Sequence, residues 1–252
     1  MDFGITDLTL IAAIFFLAAF LHGSIGFGFP LVSTPLLALI TDLQTAILLT
    51  LLPTILVNLV SIYSEGHFFV ALKRFYAIAL LSILGTVVGT HFLLAFDPEF
   101  FKVLLAATIL AYLIADRIKI RFNWIRHHPF FSKVLFGLSA GLLGGMTNVM
   151  APALIIYSLE SGHSKSDLIR VSNICFLTGK ITQLLVFSLA GEFTLNELSQ
   201  SPLMFLVVGL ALYTGLHIRK RMRGDLYIHV LKGFLLLLSV MLFVQAASNS
   251  LS

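Results

Sequence analysis

The sequence predicts an all-α polytopic membrane protein made of two inverted repeats, each a Gly/Pro-broken helical hairpin plus three transmembrane helices. Three observations carry this expectation. Of the 252 residues, 58% are hydrophobic and only 11% charged, whereas a soluble domain carries about 25% charged residues. The apolar residues gather into eight segments, at 8–40, 43–64, 75–96, 100–116, 132–160, 167–190, 202–218 and 226–246. Six of these have the length of one membrane crossing, near 20 residues. The other two, 8–40 and 132–160, are too long for one crossing, and both carry a glycine-rich break followed by proline.

The first break reads LHGSIGFGFP over Leu21–Pro30, with Pro35 beyond; the second reads SAGLLGGMTN over Ser139–Asn148, with Pro152 beyond. Gly23 aligns with Gly141, Gly26 with Gly144, and Pro35 with Pro152 after a one-residue gap. Each long segment reads as a helix, a break and a shorter returning helix. The match continues downstream, with Gly66 against Gly191, and Gly89 and His91 against Gly215 and His217. These correspondences define a first repeat over 1–118, a linker over 119–131 and a second repeat over 132–252.

Orientation follows from the basic residues. Lys73 and Arg74; Arg117, Lys119, Arg121 and Arg126; and Arg219, Lys220, Arg221 and Arg223 mark three cytoplasmic loops. The opposite loops carry Asp97, Glu99, Glu192 and Glu197, with Lys102 the one basic residue close by. Two basic loops share a side only if 132–160 returns to the side it left. The same logic places both termini outside and makes the repeats inverted. The first segment reads as a retained helix, because Asp2 and Asp7 flank it where a signal peptide needs basic residues.

Irregular backbone at membrane depth survives only where protein or a water-filled cavity covers it, so paired breaks point to a substrate site. A helix start after such a break offers unpaired N–H groups and a partial positive charge to an anion. The candidate substrate-binding residues are therefore Gly23, Ser24, Gly26, Gly28, Gly141, Gly144, Gly145, Thr147 and Asn148. The competing reading is close helix packing, for which Gly137, Gly141 and Gly145, and Gly85 and Gly89, have the four-residue spacing. Lys180 lies mid-span with no Asp or Glu after Asp167 in its segment. Its insertion costs about 2.5–3.5 kcal/mol, so it faces the protein interior, where an anion can neutralise it, unless it snorkels or meets a backbone carbonyl. Asn173 and Gln183 share that segment and complete the candidate set, and Thr178 and Asn58 are further polar residues within spans. His22 and His91 are candidates for proton coupling, with a neutral core histidine as the alternative.

Composition excludes several classes. The single Cys175 forms no internal disulfide and no multi-cysteine metal site. Gly26-Phe27-Gly28 sits in an apolar span rather than between strand and helix, so it is not a dinucleotide loop. No serine has a His and Asp at recognisable spacing, so there is no catalytic residue set. No cofactor, metal or nucleic acid is expected.

The duplicated breaks, Gly23 to Gly28 with Pro35 and Gly141 to Gly145 with Pro152, in an eight-segment apolar chain of this length resemble those of the TauE/SafE family of sulfite and organosulfonate exporters. The second copy departs from the first at Met146, Thr147 and Asn148, where phenylalanines would stand. The resemblance implies a secondary transporter in the inner membrane of a bacterium, exporting a small anion such as sulfite or a sulfonate. Its partners would be that anion, the lipid bilayer and a second copy of the chain as a homodimer. Transport of another small ligand, a metal ion or neutral metabolite, is the alternative, and a membrane assembly factor is a third reading.

Overall fold

The computed structural model describes residues 4–66, 68–118, 123–193, 201–219 and 225–249. Among these, every regular element is an α-helix. The first half gives α1 (Ile5–Ile25), α2 (Phe29–Ala38), α3 (Leu43–Ser64), α4 (Phe68–Ala95) and α5 (Pro98–Ile118). A short α6 (Asn123–His127) follows, then α7 (Pro129–Thr147), α8 (Ala151–Glu160), α9 (Lys165–Leu189), α10 (Ser201–Arg219) and α11 (Asp225–Asn249). Among the described residues, six helices, α1, α3, α4, α7, α9 and α10, are long and apolar enough to cross a membrane.

Local sequence explains the boundaries. Asp42 caps α3 by accepting the Thr45 N–H at 2.9 Å. Ser164 and Asp167 cap α9 reciprocally, with the Asp167 N–H donating to Ser164 Oγ at 3.1 Å. Such caps satisfy donors that the first helical turn leaves unpaired. Large apolar side chains such as Phe69, Leu80, Leu84, Leu185, Leu206 and Tyr213 are exposed on the outer helix faces. The interior is mainly apolar, with hydroxyls and carboxamides among it, including Thr50, Thr54, Asn58, Ser172 and Asn173. An apolar outer face with the polar side chains of the spans kept inside is what a bilayer imposes.

Both long segments divide as expected into a helix, a break and a ten-residue helix, α2 in one case and α8 in the other. The second hairpin returns to its starting side. Arg126, just before α7, donates its Nε–H to the Glu160 carbonyl at the end of α8 at 2.8 Å. Central helices α3 and α9 run antiparallel: Glu65 after α3 meets Ser166 at the start of α9, while Gln44 at the start of α3 meets Glu192 beyond α9. Around them α1 packs on α10, α4 on α7, and α5 on α11.

Three expectations change. Helix α4 begins at Phe68 rather than 75, so Lys73 and Arg74 lie in its first turns instead of a loop. The linker reading of 119–131 changes because α6 occupies part of it and α7 starts at Pro129; residues 119–122 lie outside the described residues, as do His67, Glu197, Lys220, Arg221, Arg223 and the outermost three residues at each end. The register between the halves also moves. Gly26 and Asn148 are the left-handed caps that end α1 and α7, and Pro30 and Pro152 are both the second residue of the returning helix. This puts corresponding residues 122 apart, four more than the glycine alignment suggests. Position in the hairpin, rather than glycine identity, sets the correspondence.

Candidate functional site

The first break is built around His22. Helix α1 ends where Gly26 turns left-handed, with φ 105°, and its N–H donates to the His22 carbonyl. Gly28 has the same φ and precedes α2. Two left-handed residues within three positions need glycine, because a Cβ there costs about 1–2 kcal/mol each. The α2 start is capped across the turn: the Phe29 N–H donates to His22 Nδ1 at 3.1 Å. A backbone N–H only donates, so Nδ1 is the acceptor and the proton sits on Nε2, which donates to Ser61 Oγ at 2.8 Å. A second proton on Nδ1 would face the Phe29 N–H and undo the cap. His22 thus caps α2 through Nδ1 in this structure.

The second break is built around Asn148, the described non-glycine residue with positive φ, at 66°. Its Nδ2 donates to Thr34 Oγ1 at 2.7 Å and to Thr50 Oγ1 at 2.8 Å. Thr50 spends its own proton on the Ile47 carbonyl, which fixes the carboxamide's orientation and leaves Asn148 Oδ1 buried without a partner. Asn tolerates the left-handed region better than other side chains, and here it also ties the second hairpin to α2 and α3. Asn148→Gly is expected to keep the turn and lose the two bonds, while Asn148→Ala loses both and adds strain. Melting temperature should therefore fall in the order native, Gly, Ala, with about 1–2 kcal/mol between the two variants.

Two further side chains bind the breaks to α9. Asn173 donates from Nδ2 to the Gly26 carbonyl and to its own helix at Ile169, both at 2.7 Å, leaving Oδ1 unpartnered. Gln183 donates from Nε2 to the Gly145 carbonyl at 3.0 Å and accepts from Lys180 Nζ through Oε1. Lys180 is 1% exposed, and no carboxylate among the described residues forms an ion pair with it. Lys180, Gln183, Gly145 and Asn148 thus share the last turn of α7 and the facing turn of α9.

The breaks lie at different depths. Asn173, at the first, and Gln183, at the second, are ten residues apart on α9, about 15 Å of helix. On α3, Ser61 touches the first break and Thr50 the second, eleven residues or about 16 Å apart. The two breaks are consequently two stations on the α3–α9 pair rather than one shared shell.

Other candidates fall elsewhere. Gly23, Gly141 and Gly145 are crossing points where helices touch backbone to backbone. A Cβ on Gly141 would stand 2.0 Å from the Ser82 carbonyl oxygen, and one on Gly145 2.7 Å from that of Thr86. On Gly23 it would stand 2.6 Å from the Leu212 carbonyl oxygen. Helix packing occupies the Cα faces of these three glycines. Gly23 meets Gly215 as Gly145 meets Gly89, and the 122-residue register makes Gly23 and Gly145 counterparts. Gly144 and Gly179 form a notch that the Met150 side chain fills. Ser24 and Thr147 donate back to their own helices, at Phe20 and Leu143, both at 2.8 Å, so neither aims its proton inward. His91 is exposed and bonded to the Val87 carbonyl, away from the interior. Gly28 keeps an open face, the nearest atom being 4.0 Å from a built Cβ. The sequence reading missed Thr34, Thr50 and Ser61; a hydroxyl in an apolar span can also bond its own helix, so none of them stood out.

An apolar-surfaced helical bundle with six helices long enough to span, two broken hairpins and buried polar groups has the make-up of an integral membrane protein. Residues 11–242 match the profile of the family described as Sulfite exporter TauE/SafE, and the chain belongs to that family. The family is one of membrane transporters of the sulfur-anion type. No curated protein and no solved structure matches the chain at a significant level.

Proposed function

We infer that this chain is a secondary transporter that exports a small anion, sulfite or an organosulfonate, across the cytoplasmic membrane, without ATP. The observation that carries this reading is Lys180, an interior lysine whose recorded contact is a neutral carboxamide. Burying a cation is costly unless something pairs it, and an anion arriving beside the second break supplies the missing charge. Gln183 and the Asn148 turn flank that position. For export the path runs along α3 and α9 to that position from the first break, where Gly28 is open and Asn173 holds an unpartnered carboxamide oxygen.

The alternating-access machinery is the pair of repeats. Their antiparallel central helices, ten-residue returning helices and 122-residue register support an inverted relation. Arg74, Arg126, Arg170 and Arg219 gather at one end. That end belongs in the cytoplasm by the positive-inside rule, which leaves both termini outside.

The test is a ligand panel on purified protein read by melting temperature. Sulfite and methanesulfonate should each raise it; at a hundred times Kd the gain is about 2.7 kcal/mol. Chloride and glucose at equal concentration should not. Equal stabilisation by chloride, or none by either sulfur anion, would defeat the reading.

A further inference from the structure

Beyond the breaks lies a cluster of charged groups at the basic end of the bundle. Glu65, in the turn after α3, is held through both carboxylate oxygens. Oε1 accepts from Arg219 of α10 at 2.5 Å, and Oε2 accepts from Ser166 Oγ at the start of α9 at 2.8 Å. Its carbonyl accepts from Arg170 at 2.8 Å. Asp167 pairs with Arg74 at 2.9 Å and lies 4.0 Å from Arg170. The guanidinium groups of Arg74, Arg170 and Arg219 therefore face the carboxylates of Glu65 and Asp167, three positive charges against two negative.

Two features set this cluster apart from an ordinary staple. It covers the first break: Arg219 NH1 stands 3.1 Å from where a Cβ on Gly26 would be, so glycine there makes room for the guanidinium. It also keeps an unused donor, since Arg170 Nε is buried without a partner. Glu65 is moreover followed by Gly66, which has φ 69° and no atom within 4 Å of a built Cβ.

We propose that Arg219, Arg170 and Ser166 form a second oxyanion station, at the mouth of the first break, and that the Glu65 carboxylate is its resident occupant in this structure. The proposal rests on the anion-transport reading above. A carboxylate and a sulfite or sulfonate offer the same paired oxygen edge to an arginine fork. An incoming sulfur oxyanion takes the place of Glu65 on Arg219 and Ser166, the link from α3 to α9 and α10 parts, and the way to Gly26 and Gly28 opens. The carboxylate thus competes with the substrate. A site occupied by an internal competitor shows an affinity lowered by the fraction of time that it is free.

The sign of that competition gives the test. Sulfite flux is measured in proteoliposomes holding the full chain, native or variant. Glu65→Gln keeps the Ser166 bond but loses the charge, and it should lower KM for sulfite by about threefold or more. Arg219→Lys keeps a charge but loses the fork, and it should raise KM with melting temperature little changed. If the cluster is only a staple, Glu65→Gln lowers melting temperature and flux while leaving KM in place, and that overturns the proposal. Should Glu65→Gln fail to fold, an Arg219→Lys protein with native KM overturns it equally. Native protein that moves no sulfite defeats the transport reading itself, a result distinct from either.

Discussion

Replacing Lys180 by Met is expected to remove sulfur-anion transport almost entirely while leaving the unliganded protein at least as stable as before. Lys180 is buried, and its recorded contact is Gln183, which the Gly145 carbonyl also holds in place. Methionine keeps the apolar stem of the side chain, one atom shorter, and removes the charge. What is lost is the partner of the anion; what is gained is relief from a buried cation. Melting temperature without ligand, and its rise with methanesulfonate, measure the two effects separately. The expected pair is an unchanged or higher first value and no rise. A large fall in the first value with the rise intact would make Lys180 a structural partner, and the site would have to lie elsewhere along α3 and α9.

Replacing Gly141 by Leu is expected to leave no folded protein in the membrane. The Cβ alone would stand 2.0 Å from the Ser82 carbonyl oxygen, which is backbone of α4 and cannot rotate away. Overpacking in a core costs about 1–3 kcal/mol when side chains can adjust; here two helices must separate along the α4–α7 contact. Gly209→Leu in α10 is the control, because a Cβ there meets nothing within 4 Å. Gly28→Ala falls between: its surroundings are open but its φ of 105° is left-handed, so it should fold with a cost of about 1–2 kcal/mol. Yield of monodisperse protein in detergent separates the three. Native yield from Gly141→Leu would mean that the α4–α7 contact is looser than described.

The two glycine cases explain what was legible in the sequence. Apolar segments, overlong hairpins and the positions of the breaks follow from length and composition, and the structure divides both hairpins where glycine and proline stand. The purpose of each glycine does not follow. Gly28 is needed for a left-handed turn and Gly141 for a helix crossing, yet both read as an absent side chain in an apolar run. Matching glycines by letter therefore gave a register four residues from the one set by the caps at Gly26 and Asn148. Lys180 was legible because charge in a span is rare. The role of His22 was not, because its partners Phe29 and Ser61 are brought to it by the turn and by α3. Nor was the depth of the breaks, which follows from their contacts with Asn173 and Gln183 ten residues apart on α9.

The central claim is that this bundle moves a sulfur oxyanion through the α3–α9 interior by way of Lys180. Efflux of sulfite from loaded proteoliposomes, with no ATP present, tests it most directly. The account predicts saturable efflux from vesicles holding the native chain, inhibited by external methanesulfonate and absent from vesicles holding Lys180→Met. Sulfite leaving native vesicles no faster than protein-free ones would contradict it, as would equal efflux from the Lys180→Met protein.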